Sequence, residues 1–137
     1  MEERISGYRE LEHTADWEIE VWAPDLVGLL EEAARGMYAL SGARLDTYNS
    51  QSRTIEISAK EPEVLLVVFL EELLYLGEME NLGFDKFELR LEDGVLSAKL
   101  EGGFLVSLEK EIKAVTYHNL QIRETGRGIM VNIVFDV

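Results

Sequence analysis

The chain has 137 residues, no cysteine and a formal net charge of −14 at pH 7. The length fits one domain over residues 1–137, and the lack of cysteine excludes disulfides, thiolate metal ligands and a cysteine nucleophile. A surface this acidic repels phosphate backbones, so we expect no tight binding of RNA or DNA by the protein alone. An acidic surface favours the binding of cations and of basic protein partners. The alternative is that the charge only keeps the protein soluble.

No segment is typical of a secretory signal or a membrane span. Residues 1–10 are charged and contain no apolar run, and the longest apolar run covers only residues 64–70. A membrane helix needs about 20 apolar residues. We therefore expect a cytoplasmic protein without a membrane partner.

The first half of the chain predicts strands on either side of one helix. Residues 8–11 are predicted as a short strand, and residues 17–23 as a strand because apolar and polar side chains alternate there. Apolar residues then recur at helical spacing over residues 24–41, which predicts a helix that Gly42 ends. Residues 43–51 are predicted as a loop.

A second helix follows a strand predicted over residues 53–58. It begins at Pro62, which suits a first helical turn, and ends near Gly77 or Asn81. Its N-terminal half is apolar on most of its circumference. The sequence therefore predicts a largely buried helix that is covered on more than one side.

Strands dominate the remainder of the chain. A hairpin is predicted over residues 84–91 and 95–100, with its turn at residues 92–94, and Gly102 with Gly103 predicts a hinge or a bulge. Three further strands are predicted over residues 112–115, 120–123 and 129–135.

This element order does not alternate strand and helix as a doubly wound sheet does. It predicts an α+β fold, in which two helices pack on a mostly antiparallel or mixed β-sheet system. So many strands also fit an arrangement in two sheets.

Polar residues stand at the entrance to the strand over residues 17–23. His13 and Asp16 belong to the stretch HTAD that precedes it. On residue type alone, Asp16 is more typical of a turn or capping residue. The alternative is a metal ligand or a catalytic carboxylate, and the end of the chain favours it.

The last predicted strand runs into Asp136 and Val137. If it neighbours the strand after Asp16, the two Asp side chains and the carboxylate of Val137 would meet. Like charges so close need a cation to stay ionised, and an oxygen-only ligand set favours Mg²⁺, Ca²⁺ or Mn²⁺ over zinc. The alternative is two independent surface acids.

A second polar group lies in the stretch KAVTYH. Lys113, Tyr117 and His118 could form a polar cluster near the acidic site, with Lys113 as the counter-charge and the other two as hydrogen-bond donors. The alternative is an edge strand followed by a turn at His118 and Asn119.

Common catalytic signatures are absent from the sequence. It contains no phosphate-binding loop of either common type and no nucleophile elbow. His13, His118 and Asp16 could together supply a zinc site, or a His–Asp pair could act as a general base, but no obvious nucleophile stands beside them.

Three motifs together resemble the archease family: HTADWEIEVWA near the start, EIKAVTYHNL at residues 111–120, and the ending IVFDV. They occur in the family's order, and the resemblance covers nearly the whole chain. It implies a non-catalytic protein cofactor of RtcB-type RNA ligases. Those ligases join tRNA halves with GTP and Mn²⁺ through a guanylylated histidine, and the cofactor speeds guanylylation and allows multiple turnover.

The resemblance also implies a site and an additional partner. Asp16 and Asp136 match the Asp residues that bind a divalent metal in the family, and the carboxylate of Val137 is expected to join them. His13, Lys113, Tyr117 and His118 match motif positions and are expected as neighbours of the site. A tRNA methyltransferase, which the family is described as modulating in a chaperone-like way, is the additional expected partner.

Two classes of function follow from the sequence. The leading hypothesis is an activator of an RNA ligase in tRNA splicing or RNA repair. The alternative is a metal-dependent hydrolase that uses His13, His118, Asp16 and Asp136.

Overall fold

The structure is a computed structural model that describes residues 5–11 and 17–137, and His13 and Asp16 lie outside these residues. The described residues form two helices and nine strands, and the strands form two sheets. All seven strand pairings described are antiparallel. The α+β prediction is therefore confirmed.

Both predicted helices are present, with the expected ends. The first, α1, covers Leu26–Ser41, and the side chain of Asp25 caps it by accepting a 2.8 Å hydrogen bond from the Gly28 amide. Gly42 ends α1 in the left-handed conformation that glycine adopts without strain. The second, α2, covers Pro62–Glu80.

The first sheet combines strands from both ends of the chain. Strand β2 pairs with β1 on one edge and with β9 on the other, and the far edge of β9 carries β7 and β8. The strand predicted after Asp16 and the last predicted strand, now β2 and β9, are thus direct neighbours. The bounds are Gly7–Leu11 for β1, Trp17–Ala23 for β2, Ala114–Val115 for β7, Arg123–Thr125 for β8 and Gly128–Asp136 for β9.

The second sheet is built on one long strand, β6. Strands β4 and β5 pair with the same stretch of β6 and so lie on its opposite edges, while β3 pairs near its end. The β5–β6 hairpin turns at Asp93 and Gly94, which both have positive φ as a two-residue hairpin turn requires. The bounds are Arg44–Leu45 for β3, Gln51–Ser58 for β4, Leu82–Glu92 for β5 and Val95–Ser107 for β6.

One prediction for this sheet was wrong, and the prediction at Gly102 and Gly103 was right in part, because a bulge lies opposite Gly102. The segment predicted as a loop over residues 43–51 contains β3, which is too short to show any alternation. Gly102 and Gly103 form no hinge, because β6 continues through them, and the irregularity lies in β5 between Phe84 and Lys86. A Cβ on Gly102 would lie 2.6 Å from the Phe84 Cα, so the bulged strand approaches a residue without a side chain.

Two predicted strands near the C-terminus were also placed wrongly. Only Ala114–Val115 of residues 112–115 is a strand, and β8 begins where the strand predicted over residues 120–123 should end. Leu120 and Ile122 pack against the core from a loop, so their alternation reflects burial and not strand pairing.

The two helices lie between the sheets. Helix α1 contacts β1, β2 and β9 of the first sheet and β5 of the second, and α2 contacts β4 and β5 on one side and β7 on the other. This confirms that α2 is covered on more than one side. Neither helix among the described residues is long and apolar enough to cross a membrane.

Candidate functional site

The candidate site lies at the edge of the first sheet where β2 begins and β9 ends. Trp17 pairs with Phe135 in the β2–β9 ladder. Asp16 precedes Trp17 in the sequence, and Asp136 follows Phe135. The predicted acidic site requires that β2 and β9 are neighbours, and they are. Asp16 itself lies outside the described residues.

Asp136 is held by its backbone and presents an exposed side chain. Its carbonyl oxygen accepts a 2.8 Å hydrogen bond from the Lys113 amide, and it pairs with Ala114 of β7. The carboxylate is thus attached to a fixed backbone and remains open to solvent. Val137 is half-buried and packs against the core.

Two lysines lie at the end of the β2–β9 ladder. Lys113 is joined to Asp136 through the backbone, and its side chain is exposed. The ammonium group of Lys110 lies 3.3 Å from the centre of the Trp17 ring, which is the geometry of a cation–π contact. The sequence offered no signal for this contact, because the two residues are brought together only by the fold.

The segment that carries Tyr117 and His118 leads away from Asp136 along β9. Thr116 donates from its amide to the Val134 carbonyl, so this segment runs away from the end of β9. Four residues of extended chain from Lys113 to Tyr117 span about 13 Å. No contact between Asp136 and His118 is found among the described residues, and the role of His118 as a neighbour of the site stays a prediction.

Residues 116–119, hereafter the tip, form an exposed turn after β7. The His118 amide donates to the Thr116 hydroxyl, and the Leu120 amide donates to the Tyr117 carbonyl. Asn119 adopts positive φ, and its side-chain nitrogen lies 3.2 Å from Nε2 of His118. Tyr117 is 56% exposed. The sequence analysis offered an edge strand followed by a turn at residues 118 and 119, and the backbone has this form. The turn leaves the side chains of Tyr117 and His118 exposed.

Two carboxylates on α2 support the tip, and the sequence analysis did not single them out. Glu71 accepts a 3.0 Å hydrogen bond from the Val115 amide, and Glu63 accepts a 3.0 Å hydrogen bond from the Ile122 amide. Both side chains are half-buried. Their only sequence signal is that acids interrupt a helix that is otherwise mostly apolar.

No three side chains of His, Asp and Glu come together as a metal site within residues 5–11 and 17–137. Of the predicted ligands, the described part of the chain contributes Asp136 and Val137 only. The predicted metal site and the alternative hydrolase site both depend on Asp16 or His13, so both stay predictions.

A groove of about 620 Å³ lies between the ends of both helices and residues 105–113, close to Lys110. Tyr38 lines it, and burial raises the pKa of its phenol well above the usual range, which the backbone N–H of Phe84 only partly opposes. The buried hydroxyl of Tyr38 has no hydrogen-bond partner among the described residues. The groove is otherwise lined mainly by apolar side chains.

The model of the archease protein family matches residues 8–137. The chain belongs to the archease family. The protein archease of Methanosarcina acetivorans is 34% identical over 139 residues, which cover 95% of each chain. The protein archease of Archaeoglobus fulgidus is 33% identical over 138 residues, which cover 95% of this chain and 98% of that one.

A solved archease has the same fold. The crystal structure of an archease from Thermotoga maritima, described as a possible chaperone, superposes with a TM-score of 0.71 and 26% identity, and covers 94% of this chain and 96% of that chain. The family resemblance expected from the three motifs is therefore confirmed. The names of these archease relatives state no enzymatic activity.

Proposed function

We propose that this protein is an archease that activates an RtcB-type RNA ligase in tRNA splicing or RNA repair and is itself not an enzyme. Its membership in the archease family is the observation that supports this proposal most strongly. Its role would be to promote guanylylation of the ligase and its multiple turnover. Activity in the cytoplasm is part of the proposal.

The charge of the chain supports an encounter with such an enzyme. An RNA ligase has to bind phosphate backbones and therefore exposes basic surface, whereas this chain carries a net charge of −14. Opposite charges raise the rate of association and orient the encounter. The same charge opposes tight binding of tRNA by the archease alone.

The proposed mechanism includes a divalent ion, Mg²⁺, Ca²⁺ or Mn²⁺, held by Asp16 and Asp136 with an oxygen of Val137. The exposed carboxylate of Asp136 on a fixed backbone fits a hard cation, and β2 and β9 are paired next to both Asp residues. When bound, the ion would supply positive charge that can neutralise phosphate during guanylyl transfer. Lys110 and Lys113 would reduce the mutual repulsion of the acids before an ion binds.

The ligation reaction tests the proposed function directly. Broken RNA in excess over the ligase, with GTP and Mn²⁺, should be joined through several turnovers only when this protein is added. The protein without ligase should neither consume GTP nor change the RNA. Turnover by the protein alone would favour the metal-dependent hydrolase, and an equal ligation rate with and without it would refute the ligase activator.

A tRNA methyltransferase is a second proposed partner, and the description of the T. maritima archease as a possible chaperone favours a chaperone-like effect on it. In that case the protein should prevent aggregation or change the product of the methyltransferase without affecting ligation. The same preparation can be compared in both assays.

The exposed residues of the EIKAVTYHNL motif should affect ligase stimulation more than stability. Lys113→Ala and His118→Ala each remove an exposed side chain that fills no core position, so the free energy of unfolding should change by less than about 0.5 kcal/mol. We expect each variant to lower stimulation about tenfold at equal protein concentration, equivalent to about 1.4 kcal/mol of binding free energy. Normal stimulation by both variants would mean that these side chains are incidental.

A further inference from the structure

We propose that Glu63 and Glu71 are positioning residues that hold the tip in the shape in which it meets the partner. Each accepts a 3.0 Å hydrogen bond from a backbone amide, Glu71 from Val115 just before the tip and Glu63 from Ile122 just after it. The two carboxylates are eight residues apart on α2, about 12 Å along the helix axis. They therefore fix the chain at both ends of the exposed turn.

The segment has few other restraints of its own. Strand β7 has two residues, and residues 116–122 belong to no strand. The Thr116 amide bonds to β9, but the remaining bonds of the tip are local. Without the two carboxylates, the return path from the tip to β8 would be fixed only by the packing of Leu120 and Ile122 against the core.

Helix α2 is a rigid support for these bonds. Its buried residues include Leu66, Phe69 and Leu70, which have no exposed surface. Because α2 is so well packed, Glu63 and Glu71 project from a backbone of fixed position. The backbone amides that they bind are held in place in turn. Hydrogen bonds to an ionised carboxylate are also shorter and about twice as strong as bonds between neutral groups.

The placement of these acids in α2 argues against a role in solubility alone. A half-buried carboxylate loses part of its hydration, a cost that has to be offset by a hydrogen bond or a counter-charge. Glu63 and Glu71 each meet this cost with a backbone N–H of the tip segment, whereas Glu78 of the same helix is exposed. The acids of α2 thus differ by environment: Glu63, Glu71 and Glu72 are half-buried, and the first two contact the segment that carries Tyr117 and His118.

The inference rests on the proposed function, because it takes the tip to be a surface that the ligase contacts. Two double variants separate geometry from charge. Glu63→Gln with Glu71→Gln keeps a carbonyl acceptor at both positions, and Glu63→Ala with Glu71→Ala removes both acceptors. Glu78→Ala is the matched control on the exposed side of the same helix.

Amide hydrogen exchange measures whether the tip segment is held. In the double Ala variant, the amides of Val115 and Ile122 should exchange at least about tenfold faster, since each loses a bond worth about 1.4 kcal/mol or more. The amide of Val131 in the core of the first sheet should be unaffected. The Gln and Glu78→Ala variants should exchange like the wild type.

Ligase stimulation measures whether the held shape is used. The protein concentration that gives half-maximal stimulation should rise about tenfold in the double Ala variant, with the same maximum, and the Gln variant should stay within about twofold of wild type. Faster exchange without a change in this concentration would refute the positioning role, while wild-type stimulation would still support the ligase activator. Absence of stimulation by the wild type would instead refute the proposed function and this inference with it.

A loss of folding in the double Ala variant would not decide the question, so the single Glu71→Ala variant is measured in parallel. It removes only the bond before the tip. Exchange should then accelerate at Val115 and stay unchanged at Ile122, with a smaller rise in half-maximal concentration. Unchanged exchange at Val115 would overturn the inference.

Discussion

Replacing Asp136 by Asn should abolish most of the stabilisation expected from the proposed divalent ion. For wild type, an ion at a hundredfold excess over its dissociation constant adds about 2.7 kcal/mol. For a chain of this size that raises the melting temperature by about 10 °C. The Asp136→Asn variant loses one anionic ligand, so it should gain only a small part of this shift, and its stimulation of the ligase should fall in parallel.

The order of stabilities should reverse in chelator. Asp136→Asn removes one negative charge from a protein of net charge −14, so the metal-free variant should be as stable as wild type or slightly more stable. Thermal melting in chelator and then in millimolar Mg²⁺, Mn²⁺ or Ca²⁺ measures both effects. Asp16→Asn should behave in the same way if the two residues share the ion.

Asp85→Asn is the matched control for this experiment. Asp85 is exposed in β5 of the second sheet, so its replacement changes the net charge equally but lies away from the end of β9. It should keep the full metal-induced shift. Equal shifts in wild type, Asp85→Asn and Asp136→Asn would place any ion elsewhere, and normal stimulation by Asp136→Asn would refute the role of the ion in activation.

Gly102→Ala should be among the most destabilising single-methyl changes in the chain. The added Cβ would lie 2.6 Å from the Phe84 Cα and closer still to the Gly83 carbonyl oxygen, and these are backbone atoms that cannot rotate away. The β5–β6 ladder would have to separate locally. We expect a loss of about 3 kcal/mol, at the upper end of the cost of overpacking, and a melting temperature lower by about 10 °C.

Gly126→Ala provides the comparison for that result. A Cβ at Gly126 meets no atom within 4 Å, so the change adds the same methyl group without a clash. Its unfolding free energy in urea should stay within about 0.5 kcal/mol of wild type. A Gly102→Ala protein as stable as Gly126→Ala would show that β5 can move away from β6 at its bulge at little cost.

The parts of the fold that could be predicted are those whose signals are local. The caps of α1 at Asp25 and Gly42 and the N-terminal proline of α2 mark helix ends through their own backbone preferences. The alternation in β2 records a strand with one buried face. The turn at Asp93 and Gly94 requires residues that tolerate positive φ.

The parts that could not be predicted depend on partners distant in sequence. Strands β3, β7 and β8 have only two or three residues, so their pairing is decided by the neighbouring strands and not by their own pattern. Leu120 and Ile122 alternate as a strand would, yet the Ile122 amide bonds to Glu63 of α2. A contact of this kind leaves no periodic signal in either segment.

The candidate site was predictable only in part for the same reason. The spacing of polar residues indicated Asp136 and Lys113, and the structure joins them through a backbone hydrogen bond. The sequence could not show that β2 and β9 are neighbours, and it gave no indication of Lys110 or of the supporting carboxylates of α2. The motifs shared with archeases added the expectation that Asp16 and Asp136 hold a divalent ion, which stays a prediction.

The position of β9 in the first sheet has a consequence for the order in which the chain folds. It is the last strand in sequence, yet it pairs with β2 on one edge and with β7 and β8 on the other. During synthesis, the second sheet and both helices can leave the ribosome and associate while β2 is paired with β1 only and still lacks β9. Such non-local pairing is slow, because the chain loses entropy before the contacts form. The end of the sheet that carries Asp136 is therefore completed only when β9 pairs, and a chain released before β9 has been made would lack Asp136 and also the core residues Val131, Ile133 and Phe135.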